Sequence, residues 1–310
     1  MTITECSATE YAARMERHPH VFNTPAFVQL NARKADEVRY LLFSDGGKVR
    51  FAMVLGRRGG RLLTPFSAPF GGFSANREQR LEMVDEAVGL LAQYASGCGM
   101  DVHVVLPPHM YDPMLVPQCV NVLSRRAELH HIDLNYYFPL SKTVGYEECL
   151  ERSARKNLRR GMSAGFEFVA VQRGDTEGVR RAYDVIRRNR EEHGYELRMS
   201  LADVEETIRV VPADFFMLRL DGEDVAAAQV FYVAEGIAQV IYWGDLRAYS
   251  HLRPMNYFVY RLFTHYHREG LRILDIGPST QDGEPNYGLC EFKTAIGCEV
   301  TTKFVFDIRH

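Results

Sequence analysis

A chain of 310 residues with 46% hydrophobic and 11% aromatic content can build two medium domains, each with its own core, and this composition excludes a disordered or low-complexity protein. A formal net charge of −3 excludes a global attraction to nucleic acid or to an anionic membrane, so any such binding must come from a local patch. No apolar run approaches the ~20 residues of a bilayer span, the six cysteines form no Cys-x-x-Cys pair, and the opening MTITECSATEY lacks the layout of a secretory leader, so a cytoplasmic protein with reduced thiols is expected.

In chain order, the first half predicts strands over 38–43 and 49–55, a Pro/Gly-rich passage, a helix over 77–96, a strand over 101–106, a helix over 115–125 and a strand over 129–138. A join follows at Pro139 to Gly145, where the pattern passes into a helix over 146–162. The second half then predicts a strand over 167–171 and helices over 176–193 and 201–209. The turn signals Leu220-Asp221-Gly222-Glu223 and Ala234-Glu235-Gly236 separate runs rich in Val, Ile, Phe and Tyr, so three strands should lie side by side in two hairpins. From His251 to Glu269, apolar residues recur at Leu252, Met255, Phe258, Val259, Leu262, Phe263 and Tyr266, the spacing of an amphipathic helix that Gly270 stops. A strand over 271–276, a helix over 288–295 and a strand over 300–308 complete the pattern.

The element order of the second half recurs in shortened form in the first. We read an α/β protein with an internal structural duplication, domains at 1–140 and 141–310, and a degenerate first copy. A single mixed α/β domain with a long N-terminal extension is the other architecture this order allows.

Several pieces of the chain carry a family resemblance: Ile132-Asp133-Leu134, the basic run RSARKNLRRGMSAGFEFV, the hairpin LDGEDVAAAQVFYV, LDIGPST, and GLCEFKTAIG. Together they resemble the FemAB-like group of tandem GNAT-fold proteins, which includes aminoacyl-tRNA-dependent peptidyltransferases and other acyltransferases. The resemblance covers roughly residues 130 to 308 and rests most on Phe292-Lys293 followed by Ile296-Gly297. It implies two GNAT-like domains and transfer of an acyl group to an amine. It also implies a place for Lys293, with Phe292, at the reaction centre, where an ammonium would stabilise an oxyanion on the acyl carbonyl. By the same resemblance Arg198 falls where the family has an arginine that contacts acceptor phosphates, a task suited to a guanidinium fork; a structural ion pair is the other reading.

GNAT enzymes that use acetyl-CoA carry a glycine loop whose free amides hold the pyrophosphate. Here that junction reads Gly244-Asp245-Leu246-Arg247-Ala248-Tyr249-Ser250-His251-Leu252-Arg253-Pro254, without the loop. The departure favours a carrier other than CoA, the resemblance implies aminoacyl-tRNA as that carrier, and no tightly bound cofactor is expected.

Five cations and no acid lie between Arg152 and Phe166. On a helix Arg152, Lys156, Arg159 and Arg160 share a face flanked by Arg155, which makes either a phosphate-binding stripe suited to tRNA or a solvated charged face. TPFSAPFGGFS, from Thr64 to Ser74, is too rich in Pro, Gly and Phe for a regular element and must pack on something; by the same resemblance Pro69 to Phe73, with Phe70 and Phe73 as contacts, should line an acceptor cleft, a structural loop being the other reading.

Asp275 and Ser279 end a strand at LDIGPST, where Asp275 could position or deprotonate the acceptor amine or simply cap the loop. Tyr242, Trp243 and Asp245 end the preceding strand, and Asn286 and Tyr287 border the loop, so all are candidate ligand contacts. His130 and His131 should point to opposite faces of a strand, and His265 and His267 lie about 200° apart on a helix, so no metal site is expected.

The function expected is transfer of an aminoacyl or other acyl group to an amine of a small or cell-wall-precursor type acceptor, by direct attack without a covalent intermediate. Acyl-CoA-dependent N-acyl transfer, and a non-catalytic binding module on the same fold, are the alternatives.

Overall fold

The computed structural model describes residues 1–310, which divide into two compact units: Met1–Asn135 with Thr280–Glu284 and Thr301–His310, and Tyr136–Ser279 with Pro285–Val300. In chain order the first part contributes β1 (Thr2–Cys6), α1 (Ala8–Arg14), α2 (Pro25–Asn31), β2 (Glu37–Asp45), β3 (Lys48–Arg58), β4 (Arg61–Thr64), α3 (Leu81–Cys98), β5 (Val102–Val105), α4 (Leu115–Arg126) and β6 (Glu128–Pro139). There follow α5 (Arg152–Met162), β7 (Glu167–Ala170), α6 (Thr176–His193), α7 (Leu201–Thr207), β8 (Ala213–Leu220), β9 (Glu223–Ala234), β10 (Ile237–Asp245) and α8 (Pro254–Arg268). The last elements are β11 (Ile273–Pro278), β12 (Thr280–Gln281), β13 (Glu284–Pro285), α9 (Tyr287–Ala295) and β14 (Glu299–Ile308).

The first unit orders its strands β1-β2-β3-β4-β5-β14, with the start of β6 beside β14. Gly46 and Gly47, both at positive φ, make the tight turn between β2 and β3. Both faces of this hairpin are covered, so its strands are apolar without alternation. Leu41, Phe43, Phe51 and Met53 meet Val84, Val88 and Leu91 of α3 and Cys119 and Val122 of α4; Tyr40, Leu42 and Val54 meet Tyr11 of α1 and Val28 of α2.

The second unit orders its strands β11-β10-β9-β8-β7, with the end of β6 beside β11. Alternation on β8 sends Phe215 and Met217 to Val179, Ala182 and Ile186 of α6, and Phe216 to His265 and Tyr266 of α8. Phe138 stacks on Phe263 of α8 at 3.7 Å between ring centres. No helix is long and apolar enough to cross a membrane.

Four expectations need correction. The division is not at 140/141: β14 pairs antiparallel with β5, Val305 opposite Val105, so the C-terminal strand belongs to the first unit. The helix expected over 146–162 is a 3-10 turn, Tyr146–Cys149, and then α5, because Leu150 turns extended to bury its side chain. Phe70 and Phe73 present no face to a ligand. Both are buried in the first unit, Phe70 against His20, Phe22 and Tyr111, and Phe73 against Phe43 and Phe51. The rings of His130 and His131 do not diverge, since their Nδ1 atoms meet at 2.7 Å.

The basic helix α5 is anchored by a stripe of small and apolar residues, Ala154, Leu158 and Gly161, spaced i, i+4, i+7. A Cβ on Gly161 would lie 2.9 Å from both the Arg253 carbonyl oxygen and Tyr257 Cβ at the start of α8. Gly161→Ala is therefore expected to destabilise by about 1–2 kcal/mol, overpacking outweighing the helix propensity gained. Gly97→Ala, in α3 with open space around it, should instead stabilise by about 0.5–1 kcal/mol. Urea unfolding of the two variants checks the opposite signs.

Candidate functional site

β10 and β11 run parallel for only three registered pairs, ending at Gln239↔Asp275, although β10 continues to Asp245. Beyond that pair they part, and the opened fork is where the candidate site lies. The sequence Asp275-Ile276-Gly277-Pro278 explains the parting. The Asp275 carboxylate (Oδ1) accepts the Gly277 N–H at 2.8 Å, Gly277 sits at φ +77, and Pro278 has no N–H for a ladder.

Lys293 of α9 completes the bend. Its Nζ donates to the carbonyl oxygens of Ile276, Gly277 and Pro278 at 3.2, 2.9 and 2.9 Å. Successive carbonyls of a strand point alternately to opposite sides, so three in a row can converge on one ammonium only where the chain curls. The side chain is 2% exposed, and burial holds its pKa down to about 8. An ammonium has three donors, and here all three are engaged by backbone. In this arrangement the ammonium ties down the strand end and has no idle donor.

Asp275, expected as a possible base, is fully buried; besides the Gly277 amide it accepts the Gln239 side-chain amide at 2.9 Å. Its carboxylate is part of the bend. Arg198 is exposed and pairs with the equally exposed Glu196 at 3.2 Å.

Other expected residues do gather at the fork. Trp243 meets Phe292 of α9 edge-on, with ring centres 6.5 Å apart. Ser279 is buried with no hydrogen-bond partner for its hydroxyl, while its carbonyl accepts the Asn286 N–H at 2.9 Å. Asn286 caps α9 through its side chain at Leu289 N–H, and Tyr287, the next residue, is 79% exposed. Burial raises the Asp245 carboxyl above the ordinary range, although the Ser250 hydroxyl donates to it at 3.2 Å.

Sequence reading missed Asn189 and Arg190. Asn189 Nδ2 donates to the Asp245 carbonyl at 2.7 Å and fits there because Gly244 has no side chain; a Cβ would fall 2.3 Å from the carboxamide. Arg190 lies over the ring of Tyr242. Their only sequence signal is a polar pair at the end of the amphipathic helix α6.

On α5, Arg155 is tied to the carbonyls of Glu147 and Leu150, and Arg159 to the Glu147 carboxylate. Arg152, Lys156 and Arg160 are exposed and make no ion pair, so three of the five expected cations remain open to an outside anion.

Residues 152–293 match the family model of the acetyltransferase (GNAT) domain. The crystal structure of FemX shares the fold with a TM-score of 0.67 at 13% identity, over 100% of this chain and 98% of that one. The C-terminal domain of a putative lysylphosphatidylglycerol synthetase from Agrobacterium fabrum follows at 0.63 and 14%, over 98% and 93%. A tandem GNAT protein from the clavulanic acid biosynthesis pathway gives 0.52 and 14%, over 98% and 97%. A comparison with curated protein sequences finds no match. These likenesses bear out the α/β fold of two GNAT-like domains in tandem.

Proposed function

We propose, for a chain that belongs with the GNAT-fold acyltransferases of FemAB-like architecture, that it moves an aminoacyl group from aminoacyl-tRNA onto the amine of a small or precursor-type acceptor. The observation that carries the choice of donor is the junction between β10 and α8. Where a CoA enzyme offers glycine amides to the pyrophosphate, this chain has a 3-10 turn, Arg247–Leu252, then Arg253 at φ +61 with its bulky side chain, then Pro254 at the first helical position with no N–H. The open cations of α5 and the fold shared with FemX favour the same donor.

In the reaction the acceptor amine attacks the acyl carbonyl, a C–N bond forms, the ester C–O bond breaks, and the amine proton leaves with the ribose oxygen. β10 backbone groups beyond Gln239 have no β11 partner, and any N–H among them pointing into the fork can meet negative charge developing on the carbonyl oxygen. Lys293 keeps the fork open, and neither a covalent intermediate nor a tightly bound cofactor is required. Acyl-CoA remains the second reading because the matched domain is described as an acetyltransferase.

Binding of the purified protein to bulk aminoacyl-tRNA and to acetyl-CoA, at two salt concentrations, separates the donors. Salt-sensitive tRNA binding without a CoA signal is expected. Micromolar CoA binding would overturn the choice of donor, and silence from both would favour a non-catalytic binding module.

A further inference from the structure

Resting on the acyl-transfer reading only for its place beside the fork, we propose that Arg190 is an anchor for an oxyanion group, carboxylate or phosphate, of the acceptor. Arg190 lies near the end of α6, and its guanidinium carbon stands 5.1 Å from the ring centre of Tyr242 and 5.6 Å from that of Tyr195. Tyr242 is on β10, three residues past the last pair with β11, which puts this cation at the flank of the opened fork.

The guanidinium has no carboxylate partner, and its Nε is buried without a hydrogen-bond acceptor. Arg39, Arg61 and Arg181, also partly buried, are matched by Glu37, Asp307 and Asp224; Arg155 and Arg261 lack a carboxylate, but Arg155 donates to the Glu147 and Leu150 carbonyls, and Arg261, stacked on Phe168 and Tyr257, donates to the Tyr257 hydroxyl. Arg190 differs from these in that its side chain meets no acceptor at all, and Arg198 nearby adds positive charge instead of offsetting it.

Ring faces stabilise the charge but leave the N–H fork unengaged. A half-buried charge with idle donors is costly, and a planar two-oxygen anion meets that fork with paired hydrogen bonds. The tyrosines also limit side-chain freedom, so little ordering is left for the ligand to impose. Arg198, exposed and occupied by Glu196, has none of these properties.

The test is a titration of the whole protein, labelled at arginine with nitrogen-15, with inorganic phosphate and separately with acetate at constant ionic strength set by sodium chloride. The Nε–Hε signal of Arg190 is expected to move saturably with one or both anions and not with chloride, the two arms telling which oxyanion is preferred. Arg190→Lys, read at the ring signals of Tyr195, should weaken that binding at least 10-fold. An Arg190 signal that stays put with both anions, or moves only as chloride moves it, would overturn the proposal. If the lysine variant does not fold, the wild-type titration still decides. Turnover is not measured, so failure of this anchor and failure of the acyl-transfer reading are told apart.

Discussion

Lys293→Met is expected to lower stability by about 2 kcal/mol and turnover by about 100-fold in the same protein. The methionine fills the volume, so no large cavity enters. What changes is that the carbonyls of Ile276, Gly277 and Pro278 lose their shared donor, a loss partly offset by removal of a buried charge. The strand end then relaxes, and a shift of about 1 Å at the fork is enough for the kinetic loss.

The pH dependence sharpens this test. Burial lowers the folded-state pKa of Lys293 from 10.5 to about 8, so between those values the unfolded chain binds more protons than the native one. Stability of the wild type, measured against Lys293→Met, should therefore rise with pH from about 8 to 10.5 and be flat below 8. Chemical denaturation across that range, with turnover assayed beside it, is the measurement. A variant that loses turnover while keeping both its stability and its pH slope would restore Lys293 to a direct role at the oxyanion.

Replacing Arg152, Lys156 and Arg160 together by Glu should weaken binding of aminoacyl-tRNA by about 100-fold at moderate salt and reduce the slope of log affinity against log salt by about 2–3. These are the three cations of α5 engaged neither by a carboxylate nor by a backbone carbonyl, and their side chains are exposed, so unfolding midpoints should barely move. Arg155 is unsuitable for this purpose, because its guanidinium holds the turn before the helix through two backbone carbonyls. An unchanged salt slope in the triple variant would remove α5 from the RNA-binding surface.

Much of the fold was legible because the signals are local. The helix over 176–193 has the bounds predicted for it, set by the Asp175 cap and by Gly194 at positive φ. The three strands between Ala213 and Asp245 follow from their turns. The N-terminal elements β1 and α1 were not legible: β1 is short and mostly exposed, and acquires its structure by pairing with β2. The helix start at Pro254 in place of His251 depends on Arg253 taking a left-handed conformation that its residue type does not announce.

By itself the sequence determined the class of the protein, the order of its elements, and the presence of Phe292-Lys293, LDIGPST and the basic run, since propensity, periodicity and turn chemistry act over a few residues. Only the tertiary structure decided what those residues do. It bound Lys293 to three carbonyls, buried Asp275 behind Gln239, reduced five cations to three, and left the Arg190 side chain between two tyrosine rings with no acceptor for its Nε. Each of those outcomes depends on which hydrogen-bond acceptors and carboxylates arrive beside a side chain from distant parts of the chain, and hydrophobic patterning does not encode that.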